Sequence, residues 1–294
     1  MRSARWSRRP SSPPPTTVIV VGLVNAQVLK LRNAIGVIMG ANIGTTITAH
    51  ILRLSDLQTD NFFLMLLKPK SLAPLAMIVG ILFFMSAKRD RQKNIGIILL
   101  GFGVLFTGMF AMEGAVAPLS NEPWFTSLFA TFRNPVIGIL VGTFVTAAIQ
   151  SSAASIGILQ ALTSTGLITY SMAFPIIMGQ NIGTCITPIL ASIGASKNAK
   201  RTAAVHVSFN VLGTIIFVIG CYTFQHFVGF SFWDAPIDKG GIANFHTIFN
   251  VTVTLLFIPL VGLLEKIART LVRDKPGDRD QEITAITLDE RLLV

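Results

Sequence analysis

Ala34–Ile51 reads AIGVIMGANIGTTITAHI, and Ala173–Leu190 reads AFPIIMGQNIGTCITPIL. At a constant offset of 139, ten of the eighteen positions are identical. The shared positions include Gly40/Gly179, Asn42/Asn181, Gly44/Gly183, Thr45/Thr184 and Thr48/Thr187. Biased composition alone does not place that many matches in one window. The chain therefore carries an internal repeat, and the fold has to accommodate two copies of one apolar, glycine-bearing unit.

The surroundings say which solvent the copies face. The second copy lies within Asn134–Ser196, a stretch without a single Asp, Glu, Lys, Arg or His. Of the 294 residues, 51% are hydrophobic and only 13% are charged, against about 25% charged in ordinary soluble domains. The mean hydropathy is +0.64. A soluble globule needs charge to cover its surface, so a soluble single domain is excluded in favour of a polytopic helical membrane protein. Residues 71–87, 94–112, 202–222 and 242–264 each suffice for one crossing. The uncharged 134–196 block is too long for two simple spans. Its Gly, Ser, Gln, Asn and Pro content predicts broken or re-entrant helices, which persist at membrane depth only when buried in protein or lining a cavity.

Loop charge sets the orientation. Lys88, Arg89, Arg91 and Lys93 in one loop, and Lys197, Lys200 and Arg201 in another, place both loops in the cytoplasm by the positive-inside rule. The stretch with Glu113, Glu122 and Arg133 and the stretch with Asp234, Asp238 and Lys239 are weakly acidic and read as external. Between 133 and 197 the chain must then cross an odd number of times, which one re-entrant hairpin plus one full span satisfies. The first copy ends outside and the second ends inside, so the copies run in opposite directions. Inverted repeats characterise many secondary transporters, whose site lies near the midplane. The expected fold is an all-α polytopic membrane protein with inverted structural repeats and re-entrant helical hairpins. Residues 16–112 form the first, incomplete repeat and 113–264 the second. Residues 265–294 form a cytoplasmic tail, and 1–15 are a basic, proline-rich head foreign to the fold. The formal charge of +10 reports topology, not nucleic-acid binding, because no basic stripe is interleaved with aromatics.

The polar islands carry the chemistry. Gln150, Ser151, Ser152 and Ser155 sit inside the uncharged block, where each unsatisfied polar group costs several kcal/mol. Hydroxyl and amide oxygens suit Na⁺. Amide and hydroxyl protons and the free N–H groups of a broken helix suit an oxyanion. Close packing through small residues is the competing reading, and the repeat weighs against it. In the GxNIGTxIT island, Asn42, Thr45, Thr46 and Thr48, and Asn181, Thr184 and Thr187, supply oxygens. Gly40/Gly44 and Gly179/Gly183 have GxxxG packing spacing, so one face can pack while the other binds. Pro175 and Pro188 favour interrupting the second copy. His206-Val-Ser-Phe-Asn210 and His246-Thr-Ile-Phe-Asn250 place His and Asn on one helix face, and packing or gating suits them better than metal binding. Cys185 and Cys221 form no metal or disulfide framework. No Ser-His-Asp order, paired carboxylate or phosphate-cradling glycine loop stands out, so the chain reads as a non-enzyme. Carboxylates are nearly absent from the spans, which favours Na⁺ over H⁺ as coupling ion.

QSSAAS at Gln150–Ser155, GQNIGTCIT at Gly179–Thr187, GANIGTTIT at Gly40–Thr48 and the two HxxFN patterns resemble the bacterial branch of the type II sodium–phosphate cotransporters. The resemblance covers about residues 16–264. It implies inverted repeats with re-entrant hairpins, each carrying a Gln-Ser-Ser-Ser motif near the phosphate and Na⁺ sites. By match, that motif falls on Gln150, Ser151 and Ser152, with Ala153 in place of the third serine. Taken with the polar islands, the expected site is Gln150, Ser151, Ser152, Ser155, Asn181 and Thr184 binding phosphate or Na⁺, completed by Asn42, Thr45 and Thr46 from the first copy. The Na⁺ ligands would come from Ser151, Ser152, Thr184 and Thr45. At the matching position of the first copy the sequence reads Ser11–Thr16, SSPPPT, which is read as a truncated start. Leu288–Leu293, LDERLL, resembles the lead into a PhoU-like cytoplasmic extension, so a PhoU-like regulatory partner is expected. The implied function is Na⁺-coupled import of inorganic phosphate by alternating access in the plasma (inner) membrane, with no cofactor beyond Na⁺ and a cytoplasmic C-terminus. The alternatives are a truncated, non-transporting membrane scaffold or sensor, and a Na⁺-coupled transporter of another small anion.

Overall fold

Asn134 followed by Pro135 shows how local sequence sets the helix ends. The Asn134 side chain accepts from Val136 N at 2.9 Å, and proline fills a first-turn position whose N–H has no helical partner. The computed structural model describes residues 16–56, 68–87 and 89–274. The expected head, residues 1–15, and the tail beyond Asp274 lie outside them.

Among the described residues every regular element is helical. In chain order they are α1 (Thr16–Asn25), α2 (Leu31–Leu52), α3 (Pro69–Ser86), α4 (Asp90–Val116), α5 (Pro123–Thr131) and α6 (Pro135–Ile149). They continue as α7 (Ser152–Leu162), α8 (Tyr170–Gly183), α9 (Ile186–Ala191), α10 (Lys197–Phe227), α11 (Lys239–Phe257) and α12 (Val261–Leu271). Among the described residues six stretches are long and apolar enough to cross a membrane: Leu31–Ser55, Pro69–Ser86, Asp90–Asn121, Tyr170–Ala191, Lys197–Phe227 and Lys239–Phe257. Large apolar side chains such as Leu75, Ile78, Leu82, Ile98 and Val104 stand exposed along α3 and α4. In water such a face would be a liability, whereas lipid is its natural solvent. The chain is an all-α polytopic membrane protein.

Of the described residues, 16–41, 185–213 and 254–274 form one compact unit. Within it α1 packs on α9, and the Asn25 side chain accepts from Ser196 N at 2.7 Å. Phe209 meets Phe257 edge-on at 5.5 Å. The other unit holds 42–56, 68–87, 89–184 and 214–253. Here α3 and α4 pair closely through glycines. A Cβ at Gly80 would lie 2.9 Å from Gly96 O, and one at Gly96 would lie 2.8 Å from Gly80 O. Leu52, Ala73, Phe106 and Met109 form a buried cluster beside them. α6 packs along α8, and Phe174 on α8 stacks on Phe245 of α11 with centroids 3.5 Å apart.

The repeat is visible in the backbone. α2 covers Leu31–Leu52, and the matching span in the second copy covers Tyr170–Ala191, the same offset of 139 at both ends. Gln27 and Gly166, also 139 apart, both adopt positive φ, 60° and 70°. The copies differ in helix continuity. α2 is continuous, whereas its counterpart breaks at Thr184–Cys185 into α8 and α9. Pro188 explains the break. It offers no N–H, and its ring opposes the carbonyl of Thr184 four residues back, where the first copy has Ala49.

One expected span is shorter in the structure. The sequence reads 242–264 as one crossing, but α11 ends at Phe257 and α12 starts afresh at Val261. Pro259 lies in the interruption and cannot donate to the helix ladder.

Candidate functional site

α6 has 15 residues and α7 has 11. At 1.5 Å per residue each is shorter than the roughly 30 Å hydrocarbon core. The break between them falls on Gln150 and Ser151. Gln150 adopts the left-handed conformation (φ 57°, ψ 25°), and its N–H donates to Thr146 O at 2.8 Å. Ser151 N-caps α7, its hydroxyl oxygen accepting from Ala154 N at 3.2 Å. The first turn of α7 thus presents backbone N–H groups beside three polar side chains. Gln150 is exposed, and Ser151 and Ser152 are half-buried.

Ser155, one turn further on, is 1% exposed. Thr146 Oγ1 donates to its hydroxyl oxygen at 2.7 Å. Gln180 Nε2 donates to the same oxygen at 2.8 Å and to Ser155 O at 2.9 Å. These bonds tie α6, α7 and α8 together behind the break. Two accepted bonds occupy the Ser155 hydroxyl lone pairs, so what it retains is its own proton. Gln180 joins this cluster behind the break although the sequence reading did not single it out. The signal was available, because Gln180 replaces Ala41 of the first copy. Its Oε1 is buried and has no hydrogen-bond partner among the described residues. A small cavity of about 70 Å³ lies here, lined by Val141, Val145, Leu159 and Ile176 together with Ser155 and Gln180.

The glycine spacing of the second copy is used for packing. A Cβ on Gly142 would lie 2.1 Å from Ile176 O, and one on Gly179 would lie 2.1 Å from Ile139 O. Thr143 Oγ1 also donates to Gly179 O at 3.1 Å. By contrast, nothing among the described residues lies within 4 Å of a Cβ built on Gly40 or Gly44.

The Asn-Ile-Gly-Thr segments keep one local geometry in both copies. Thr184 Oγ1 donates to Asn181 O at 2.6 Å, and Thr45 Oγ1 donates to Asn42 O at 2.7 Å. Thr46 Oγ1 donates to Ile43 O at 2.7 Å. A hydroxyl that spends its proton on the backbone offers lone pairs elsewhere, which suits a hard cation. Asn42 and Asn181 are both buried, and Asn181 Nδ2 donates to Ile177 O at 3.0 Å. The structure therefore joins Ser155 to Gln180, and gives Thr45 and Thr184 equivalent settings. The hydroxyls of Thr45 and Thr46 donate within their own helix.

A second polar cluster lies in the same unit. Lys239, 3% exposed, pairs with Glu113 Oε1 at 2.6 Å and donates to Ser55 Oγ at 2.7 Å. Gln160 Nε2 donates to Ala49 O at 3.1 Å and Lys239 O at 3.0 Å. A cleft of about 310 Å³ opens beside it, lined by Glu113, Thr163, Ser164, Asp238 and Lys239. The sequence presents Glu113 and Lys239 as loop charges, and the fold pairs the half-buried Glu113 with the buried Lys239.

Both HxxFN patterns are buried on their helices. Asn210 Nδ2 donates to His206 O at 2.9 Å and Asn250 Nδ2 to His246 O at 2.8 Å. Those bonds fit packing. No cluster of three or more His, Cys, Asp or Glu able to hold a metal exists among the described residues.

Comparison with known proteins adds to this geometry. The sequence model of a family described as Na+/Pi-cotransporter matches residues 11–114 and 107–233. YqeW of Bacillus subtilis strain 168, named as uncharacterized, is 33% identical over 259 residues, 88% of this chain and 79% of that protein. YjbB of Escherichia coli K12, which carries the provisional name of an inorganic phosphate export protein, is 25% identical over 263 residues. That match covers 89% of this chain and 45% of YjbB. Sodium-dependent phosphate transport protein 2A of Rattus norvegicus is 34% identical over 128 residues, 40% of this chain and 20% of that protein. No solved structure gives a significant match.

Proposed function

Because the chain belongs to the Na+/Pi-cotransporter family, we propose that it moves inorganic phosphate across the plasma membrane coupled to Na⁺, by alternating access. The observation that carries this reading is the Gln150–Ser151 helix break. It sets exposed and half-buried polar groups between two helices each too short to span. α7 N–H groups and the Gln150 amide are donors for phosphate oxygens. Ser151, Ser152, Thr45 and Thr184 offer hydroxyl oxygens to Na⁺. Asn181, Asn42 and Thr46 complete the set, and Ser155 offers its proton from behind the break.

Inverted copies are part of the proposal. Tyr170 N, at the start of α8, donates to Ala235 O at 3.2 Å, and Ile237 N donates to Ile168 O at 2.9 Å. Lys239, two residues on, bonds Ser55 just past the end of α2. The end of one copy and the beginning of the other thus meet the same short segment, which supports opposite running directions. The expected cytoplasmic C-terminus and a PhoU-like regulatory partner belong to the same reading.

A second reading concerns direction. The name of YjbB favours phosphate exit, whereas an inward Na⁺ gradient drives entry. Reconstituted vesicles with Na⁺ imposed on either side test both. Gln150→Ala and Ser151→Ala are expected to abolish Na⁺-dependent phosphate flux, and unchanged flux in both variants removes the site assignment.

A further inference from the structure

Three cations line one cleft in the unit that holds the start of α2. The cleft, about 410 Å³, is lined by Lys30, Leu31, Arg32, Asn198, Glu265 and Arg269. Lys30 and Arg32 flank Leu31, the first residue of a membrane-crossing stretch. Asn198 lies one residue into the crossing stretch Lys197–Phe227. Glu265 and Arg269 come from α12, where they pair one turn apart at 2.8 Å. Two spans therefore begin at this cleft, which puts it at the level where hydrocarbon gives way to headgroups.

α12 suits that level. Its sequence, VGLLEKIARTL, places Glu265, Lys266 and Arg269 on one face. Leu264 and Ala268 are buried, whereas Leu263 and Leu271 stand exposed. A short helix with a basic face and exposed leucines lies in the membrane interface, apolar side toward the acyl chains. The charges around the cleft are mostly positive. Lys30, Arg32 and Arg269 face one carboxylate, Glu265. Arg201 is already engaged, through Asp274 at 2.7 Å and Val272 O at 3.1 Å.

We infer that this cleft binds the phosphodiester headgroup of an anionic phospholipid, with its acyl chains running along the exposed leucines of α12. Lys30, Arg32 and Arg269 supply the charge and the hydrogen-bond donors. Free phosphate offers the same oxyanion but nothing to cover Leu263 and Leu271.

The test uses the full chain in phosphatidylcholine bilayers with and without phosphatidylglycerol, counting retained lipid after detergent extraction by native mass spectrometry. Each cation near an anionic surface contributes about fivefold in affinity, so the Lys30→Gln/Arg32→Gln/Arg269→Gln variant is expected to lose about a hundredfold in phosphatidylglycerol binding. Glu265→Gln, which removes the competing carboxylate, is expected to tighten it and keeps the test decisive if the triple variant fails to fold. Arg89→Gln/Arg91→Gln/Lys93→Gln, a charge-matched control at the start of α4, is expected to leave binding unchanged. Equal loss in the control, undiminished retention in the triple variant, no tightening in Glu265→Gln, or displacement of the lipid by inorganic phosphate overturns the inference.

Discussion

Gly40 and Gly179 occupy the same position in the two repeat copies, yet alanine should affect them in opposite ways. A Cβ on Gly179 would lie 2.1 Å from Ile139 O and 2.8 Å from its carbonyl carbon. Carbon–oxygen contact starts at about 3.3 Å, so α6 and α8 must separate locally by about 1 Å. Forcing an extra carbon into a packed contact costs about 1–3 kcal/mol, occasionally more. The separation also stretches the Thr143 Oγ1 bond to Gly179 O, now 3.1 Å. At Gly40 nothing among the described residues lies within 4 Å of the added carbon, and alanine gains about 0.8–1 kcal/mol of helix propensity. The expected gap between the variants is about 2–4 kcal/mol. Unfolding of the purified protein in mixed micelles, followed by tryptophan fluorescence, measures it. Equal stability in the two variants would refute α6–α8 glycine packing as the cause of the spacing in the second copy.

Gln180→Leu removes two donated bonds behind the break and should destabilise by about 1–3 kcal/mol, read by the same unfolding assay. It should also reduce phosphate flux, because Ser155 is then held only from Thr146. Lys239→Met leaves the half-buried Glu113 without its partner and should cost about 1–3 kcal/mol, with much of the loss regained in Lys239→Met/Glu113→Leu. Asp274, whose carboxyl is held below its usual range first by the Arg201 hydrogen bond, contributes stability that is present above its unfolded pKa, about pH 4. That contribution is lost as pH falls through the lower folded pKa. Asp274→Asn should remove this part of the acid dependence of unfolding, and an unaltered pH profile would show that the Arg201 contact carries no linkage.

Much of this fold could be read along the chain because the deciding signals are local. The repeat of 34–51 at 173–190 was legible from identity alone, and Pro188 was legible as a helix interruption of the second copy. The break at Gln150–Ser151 could be read because polar residues stand in an uncharged block. The resemblance to sodium–phosphate cotransporters is borne out by the family match. What stayed hidden depends on contacts between distant segments. Gln180 and Gln160 look like ordinary amides until α8 meets α7 and α7 meets Lys239. Glu113 and Lys239 carried a topology signal, but pairing across 126 positions leaves no trace in either loop. The shortening of the 242–264 span turned on Pro259, a single residue inside an otherwise apolar run.

Phosphate flux under an imposed Na⁺ gradient tests the central claim most directly. Purified chain in sealed vesicles should accumulate radiolabelled phosphate when Na⁺ is higher outside, and lose the accumulation when K⁺ replaces Na⁺. Gln150→Ala and Ser151→Ala should abolish the Na⁺-dependent part while leaving the protein folded. Flux that is equal in Na⁺ and K⁺, or that survives both substitutions, would contradict a Na⁺-coupled phosphate site at the α6–α7 break.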